Sequence, residues 1–259
     1  MSQGNPWLPL AAVGALAALG AVASRRGSPR GSRRGSRDTE WVSLHRGTLR
    51  LPGQDRIRVK KLGAGTFATA YVTLDATPPV VYVFTPDDVY DKELLAMAKA
   101  EEPDNPHLPQ VEKVGETPGQ SVYAMPLYRA PLRKADSPSG WTEYLTLKAC
   151  HDEVYEGWNP HRKTGKRGYQ INEETYVCAA NAGVSASTLE ALRILIDTAA
   201  NYGDEVVFEF APRNLATDDS GTLVLLDPLF DREKLLAKRA AQQKAQRQAD
   251  RRKHERAWR

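Results

Sequence analysis

Residues 208–231 read Phe-Glu-Phe-Ala-Pro-Arg-Asn-Leu-Ala-Thr-Asp-Asp-Ser-Gly-Thr-Leu-Val-Leu-Leu-Asp-Pro-Leu-Phe-Asp, and the spacing of their polar groups decides how the chain is read. A carboxylate at Glu209, an amide at Asn214 and a carboxylate at Asp227 are separated by a turn at Gly221 and the apolar run Leu223-Val224-Leu225-Leu226. Folded as a hairpin, the stretch brings one proton acceptor and two oxygen donors suited to magnesium to the same end. Asp227 closes the apolar run, so its carboxylate emerges at the tip of a buried strand, where a lone charge is costly unless an ion or donor meets it. The plainer readings are a turn started by Asp227 before Pro228 and an Asn214 amide bonded to its own loop.

Ahead of this hairpin, Ser187-Thr188-Leu189-Glu190 has the form of a capping box. Leu192, Leu195, Ile196 and Ala199 follow on one helical face, and Gly203 ends the helix. Trp141 to Tyr155 reads as helical, and Asn159 to Gly168 as a basic loop. His151 and His161 read as packing residues. Nearer the N-terminus, Arg56 to Leu62 alternates and leads through Gly63-Ala64-Gly65-Thr66-Phe67 to a returning strand, Val72-Thr73-Leu74. Two glycines there let a backbone approach phosphates closely. Pro78 to Thr85 reads as a third strand ending at a cap signal, Thr85 with Asp88. A helix follows that points Leu94, Leu95, Met97 and Ala98 inward, with Glu93 in its middle. Val111–Val114 and Ser121–Met125 then form a second hairpin.

This order of elements resembles the protein-kinase-like fold, in a shortened form similar to small kinase-like proteins of bacteriophages. Gly63, Gly65 and Phe67 match the family's glycine-rich loop, with Ala64 and Thr66 between them, and Glu93 lies where the small-lobe helix supplies a Glu. Tyr128 closes the hinge. Glu209-Phe210-Ala211-Pro212-Arg213-Asn214 resembles the family's Asp-Leu-Lys-Pro-Glu-Asn, and Asp227-Pro228-Leu229 its Asp-Phe-Gly. The resemblance implies an α+β, two-lobed fold: a five-stranded antiparallel small lobe with one helix over 41–128, and a shortened, mainly helical large lobe over 129–231. It further implies ATP at residues 63–67 and Glu93, magnesium at Asn214 and Asp227, and Glu209 in the catalytic position.

The departures weaken catalysis more than binding. Ala68 replaces the third glycine, and Phe84 falls where a strand lysine holds the phosphates. Lys61 reads as a solvated strand lysine, with reach into the site as the alternative. Glu209 carries one methylene more than the family's Asp, and a displacement of about an ångström can cost about 10²-fold in rate. Ala211 removes a second cation, and no activation segment follows Asp231. The expected function is therefore an ATP- and magnesium-binding pseudokinase or regulatory module. The alternatives are an active atypical phosphotransferase with Glu209 as base, and a nucleic-acid- or membrane-associated scaffold acting through basic tails.

Those tails are set apart by charge. Residues 1–37 carry 6 Arg and no acid, and residues 232–259 carry 11 Lys or Arg against 3 acids, leaving 19 basic and 29 acidic side chains in 38–231. Residues 7–23 are uncharged and apolar, at the lower edge of a bilayer span. Three readings stay open for the 1–24 segment: an anchor with its C-terminal side in the cytoplasm, a cleaved signal, or an Ala-rich stretch that meets no membrane. Residues 25–40 form an Arg/Gly/Ser-rich linker, and 232–259 a helix that is polar all round. Nucleotide, a protein partner and a membrane surface are the expected partners, with nucleic acid behind them. Cys150 and Cys178 are too few for a disulfide framework and lack ligand spacing, so free thiols in a reducing compartment are expected.

Overall fold

The computed structural model describes residues 41–155 and 167–257. The apolar segment, the arginine linker, His161 and most of the Asn159–Gly168 loop lie outside the described residues. Among the described residues, no helix is long and apolar enough to cross a membrane.

Among the described residues the fold is α+β, with a seven-stranded antiparallel sheet in the order β1-β2-β3-β4-β5-β7-β6 and five α-helices. The expected five strands are thus two short. β3 (Ile57–Ala64), β4 (Thr69–Thr73), β5 (Val80–Pro86), β6 (Glu112–Thr117) and β7 (Gln120–Pro126) occupy the anticipated regions. The sheet is extended at the β3 edge by β1 (Ser43–His45) and β2 (Thr48–Arg50). These strands are three residues each, too short to show alternation, and turn through Arg46 and Gly47 in left-handed conformations. They bury Val42, Leu49 and Leu51 against Val59, Tyr82 and Phe84.

β5 lies between β4 and β7, and apolar clusters cover both of its faces, so Val80 to Phe84 form an unbroken apolar run. Strand alternation divides it: Tyr82 and Phe84 enter the cluster with Leu49, whereas Val81 and Val83 face the cluster that includes Ala68, Tyr128 and Leu226. Thr85 is fully buried at the end of β5 and caps nothing. The helix that follows, α1 (Asp91–Glu101), starts later than the cap signal suggested. Leu94, Leu95 and Ala98 are buried as anticipated, but Met97 is exposed.

α1 packs on α4 (Ala186–Ala199), joining the second half of the chain into one core with Leu108, Leu147, Leu192 and Phe208. Ser185, two residues before the expected box, caps α4 by accepting from Thr188 N, and Glu190 instead accepts from Asn105 Nδ2 at 3.1 Å. α2 (Pro138–Tyr155) and α3 (Gly168–Asn181) complete the layer. Cys150 on α2 and Cys178 on α3 form a disulfide with Cα atoms 5.5 Å apart, correcting the expectation of free thiols. Their separation of 28 residues carries no local signal; helix packing brings them together. The reducing-compartment inference loses its basis with them. α5 (Arg232–Ala257) is the basic C-terminal helix.

Candidate functional site

The 208–231 stretch folds as a hairpin with two separate ladders. β8 (Val206–Phe208) pairs β11 (Leu229–Asp231), and β9 (Ala216–Thr217) pairs β10 (Leu223–Val224). Glu209, Asn214 and Asp227 lie between the ladders, where the two strands part. A 3-10 turn at Pro212–Asn214 brings Asn214 beside the opposite strand, and Asp227 N donates to Asn214 O at 2.8 Å. The apolar residues around them anchor the hairpin, since Phe208, Leu215, Leu223 and Leu225 are each fully or almost fully buried.

Two helices hold β8 in place. On α3, Asn172 accepts from Phe208 N at 3.0 Å and donates to Val206 O at 2.9 Å. On α2, His151 donates from Nε2 to Phe208 O at 2.9 Å and stacks on Tyr155. Burial lowers the His151 pKa, so the ring is held neutral, a role beyond the plain packing expected of it. The disulfide joins these same two helices behind the hairpin.

Glu209, Asn214 and Asp227 border a cleft of about 350 Å³, within the range of about 300–1,000 Å³ typical of small-molecule sites. Gly65, Thr66 and Phe67 form its opposite wall. Gly63, Ala64 and Glu93 do not line it; all three are exposed, Glu93 on the outer side of α1. Lys61 is exposed on β3 and likewise outside the lining. Gly63 and Gly65 have ordinary φ values, and a Cβ on either would meet nothing closer than 3.9 Å. The fold alone therefore does not require glycine at these positions.

Neighbouring residues of β5 face opposite ways. Phe84 is buried against Tyr71 on the face of β5 turned away from Ala68, and Val83 occupies the cleft-side register. One position along a strand changes the face. Neither residue brings a cation.

A cation reaches the site from α1 instead. Lys92 is buried, and its Nζ lies 2.9 Å from both Asp227 Oδ1 and Leu226 O. Burial opposes its charge, but Asp227 and Asp91 outweigh burial and raise the Lys92 pKa. Asp91 is the other unanticipated member. It borders the cleft beside Asp227, and burial together with the Asp227 charge pushes its pKa up to about 7. Its Oδ1 is buried without a hydrogen-bond partner. Sequence carried a cue, since Asp91-Lys92 opens a helix next to the expected Glu93, but the helical face was misjudged.

The remaining cleft acids are engaged. Glu209 pairs with Arg213. Asp231 accepts from Tyr90 Oη at 2.6 Å and, through Oδ1, caps α5 at Lys234 N at 3.0 Å. Asp91, Asn214 and the second carboxylate oxygen of Asp227, whose Oδ1 is paired with Lys92, are left as oxygen donors. Among the described residues no group of three or more His, Cys, Asp or Glu is placed to hold a metal, so two carboxylates and one amide are what the cleft offers a hard cation. α5 forms the last wall: Lys234 and Leu235 line the cleft, and Lys238 reaches the Thr66 carbonyl. Comparison of the chain with protein-family models and with curated proteins finds no match.

Proposed function

We propose that this chain is a divergent protein-kinase-like module that binds ATP with magnesium in the cleft and acts as a pseudokinase or regulatory domain. The observation that carries the reading is the meeting of the Gly65–Phe67 turn with Asn214 and Asp227 across a single cleft. That the fold itself does not demand glycine at Gly65 is consistent with a backbone left open for phosphates. Asp227 and Asn214, with Asp91 beside them, suit magnesium: the donors are hard oxygens, and one buried carboxylate oxygen lacks a partner. With so few protein donors the ion keeps several waters, as magnesium usually does. When bound, it would neutralise the phosphate charge facing the two carboxylates.

Weak transfer follows from the same geometry. Glu209 is paired with Arg213 rather than left to accept a proton, and no strand lysine meets the phosphates. Thermal unfolding of the full chain with millimolar ATP and magnesium tests the reading. A bound ligand stabilises by RT ln(1 + [L]/Kd), so a rise in Tm that is lost in Asp227→Asn is expected. No rise in the parent protein would sink the proposal.

A further inference from the structure

The cations that a phosphate chain requires are missing from both usual places, β5 and the Glu209–Asn214 loop, and Lys92 does not replace them. Its ammonium is buried and committed to Asp227 and Leu226. Arg213 borders the cleft but is paired with Glu209. α5 remains.

Its first turns are fastened at three places around the cleft. Arg232 pairs with Glu205 next to β8. Lys234 Nζ donates to Asp88 O before α1 and lies 4.0 Å from the Tyr90 ring centroid. One turn further on, Lys238 Nζ donates to Thr66 O in the glycine turn and lies 4.3 Å from the Phe67 ring centroid. Residues 234 and 238 are four apart and so share a helical face. Leu235 between them faces the cleft as well. Among the described residues Lys238 pairs with no carboxylate, and Lys234 has Asp231 only at 3.9 Å. Both ammonium groups are met by a carbonyl and an aromatic face, contacts that leave their positive charge largely uncompensated. Two such charges side by side repel, and an anion bridging them removes the repulsion.

We infer that Lys234 and Lys238 of α5 are the phosphate-binding cations of this cleft, taking the triphosphate chain of a nucleotide between the glycine turn and the helix. The inference rests on the nucleotide reading above and adds a residue assignment to it. It also gives α5 a role within the site: the helix supplies the wall that the glycine turn closes against.

Calorimetric titration of the full chain with ATP–magnesium, adenosine and inorganic tripolyphosphate, in the parent protein and in Lys234→Ala/Lys238→Ala, tests it. Charge-assisted contacts of this kind are worth about tenfold in affinity each, so about 10- to 100-fold weaker ATP binding is expected, with adenosine unchanged. Lys238→Arg should keep most of the affinity, and Lys244→Ala, on the exposed part of the helix, all of it. Tripolyphosphate binding lost in the double variant supports phosphate capture without the base. ATP binding indifferent to the double substitution overturns the inference while leaving the nucleotide reading intact. Failure of all three ligands to bind the parent protein overturns both.

Discussion

The Lys92 ammonium, buried on α1, lies 2.9 Å from Asp227 Oδ1 on the far hairpin, 135 residues away in sequence. The two partners differ in exposure: 6% of the Lys92 side chain is exposed against 41% of Asp227. Removing the carboxylate strands a buried ammonium, whereas removing the ammonium leaves a carboxylate that still meets water. Loss of one partner of a fully buried pair costs about 3–5 kcal/mol, and the water reaching Asp227 reduces that here. Asp227→Ala should therefore destabilise by about 2 kcal/mol, and Lys92→Met, which keeps the apolar stem, by less. Urea unfolding of both variants checks the order; the reverse order would remove the pair from the account of stability.

Cys150 and Cys178 close a loop across 28 residues, for which chain entropy gives about 3–4 kcal/mol. Reductant should lower the unfolding midpoint of the parent protein and leave Cys150→Ala/Cys178→Ala unmoved. Two titratable thiols in unreduced, denatured protein would show that the bond is absent.

His151 gives stability a defined pH dependence. Its folded pKa is lowered below 6.5, mainly by burial, so in the window between the two values the unfolded chain binds more protons than the native state. The His151 contribution to stability should be full above about pH 6.5 and fall as pH drops toward the folded pKa, by at most about 1.4 kcal/mol per pH unit. Asp91, raised to about 7, contributes a slope of the opposite sign below that pH, so the His151 slope should be read in the difference between parent and His151→Gln denaturant midpoints from pH 5 to 7.5. An equal slope in the variant would assign the effect to other groups.

Two glycines should respond in opposite ways. A Cβ at Gly168 would lie 2.6 Å from Asp204 O and 2.9 Å from Val206 O, backbone atoms at the start of β8, so Gly168→Ala should cost more than about 2 kcal/mol. Gly65→Ala meets no clash and should leave Tm within about a degree while weakening ATP binding several-fold. Thermal unfolding with and without ATP measures both effects. A Gly65→Ala protein that binds ATP normally would detach this glycine from phosphate contact.

Local pattern was enough to read most elements from the chain. Alternation in Ile57–Lys60, the unbroken apolar run of β5, the helical face of Leu192, Leu195 and Ile196, and the Glu209, Asn214 and Asp227 spacing are short-range features that fix an element's type wherever it packs. The three-residue strands β1 and β2 escaped because alternation needs more length than they have, and the face of Phe84 because a strand reverses sides at every residue. α3 lies in a poorly patterned stretch before α4 and carries no comparable local signal.

The amino-acid sequence by itself determined a hairpin that sets Glu209, Asn214 and Asp227 together, an α+β order of elements and a basic polar helix at the end. Only the tertiary structure decided that Lys92 reaches Asp227, that Asp91 stands beside it, that Cys150 meets Cys178, that Lys238 reaches the glycine turn and that Lys234 reaches the Asp88 carbonyl. Those pairings join residues between 28 and 172 positions apart. Over such distances nothing in a local period specifies contact; burial of the apolar faces of α1, α4 and the sheet brings the polar groups together and selects which of them share the cleft.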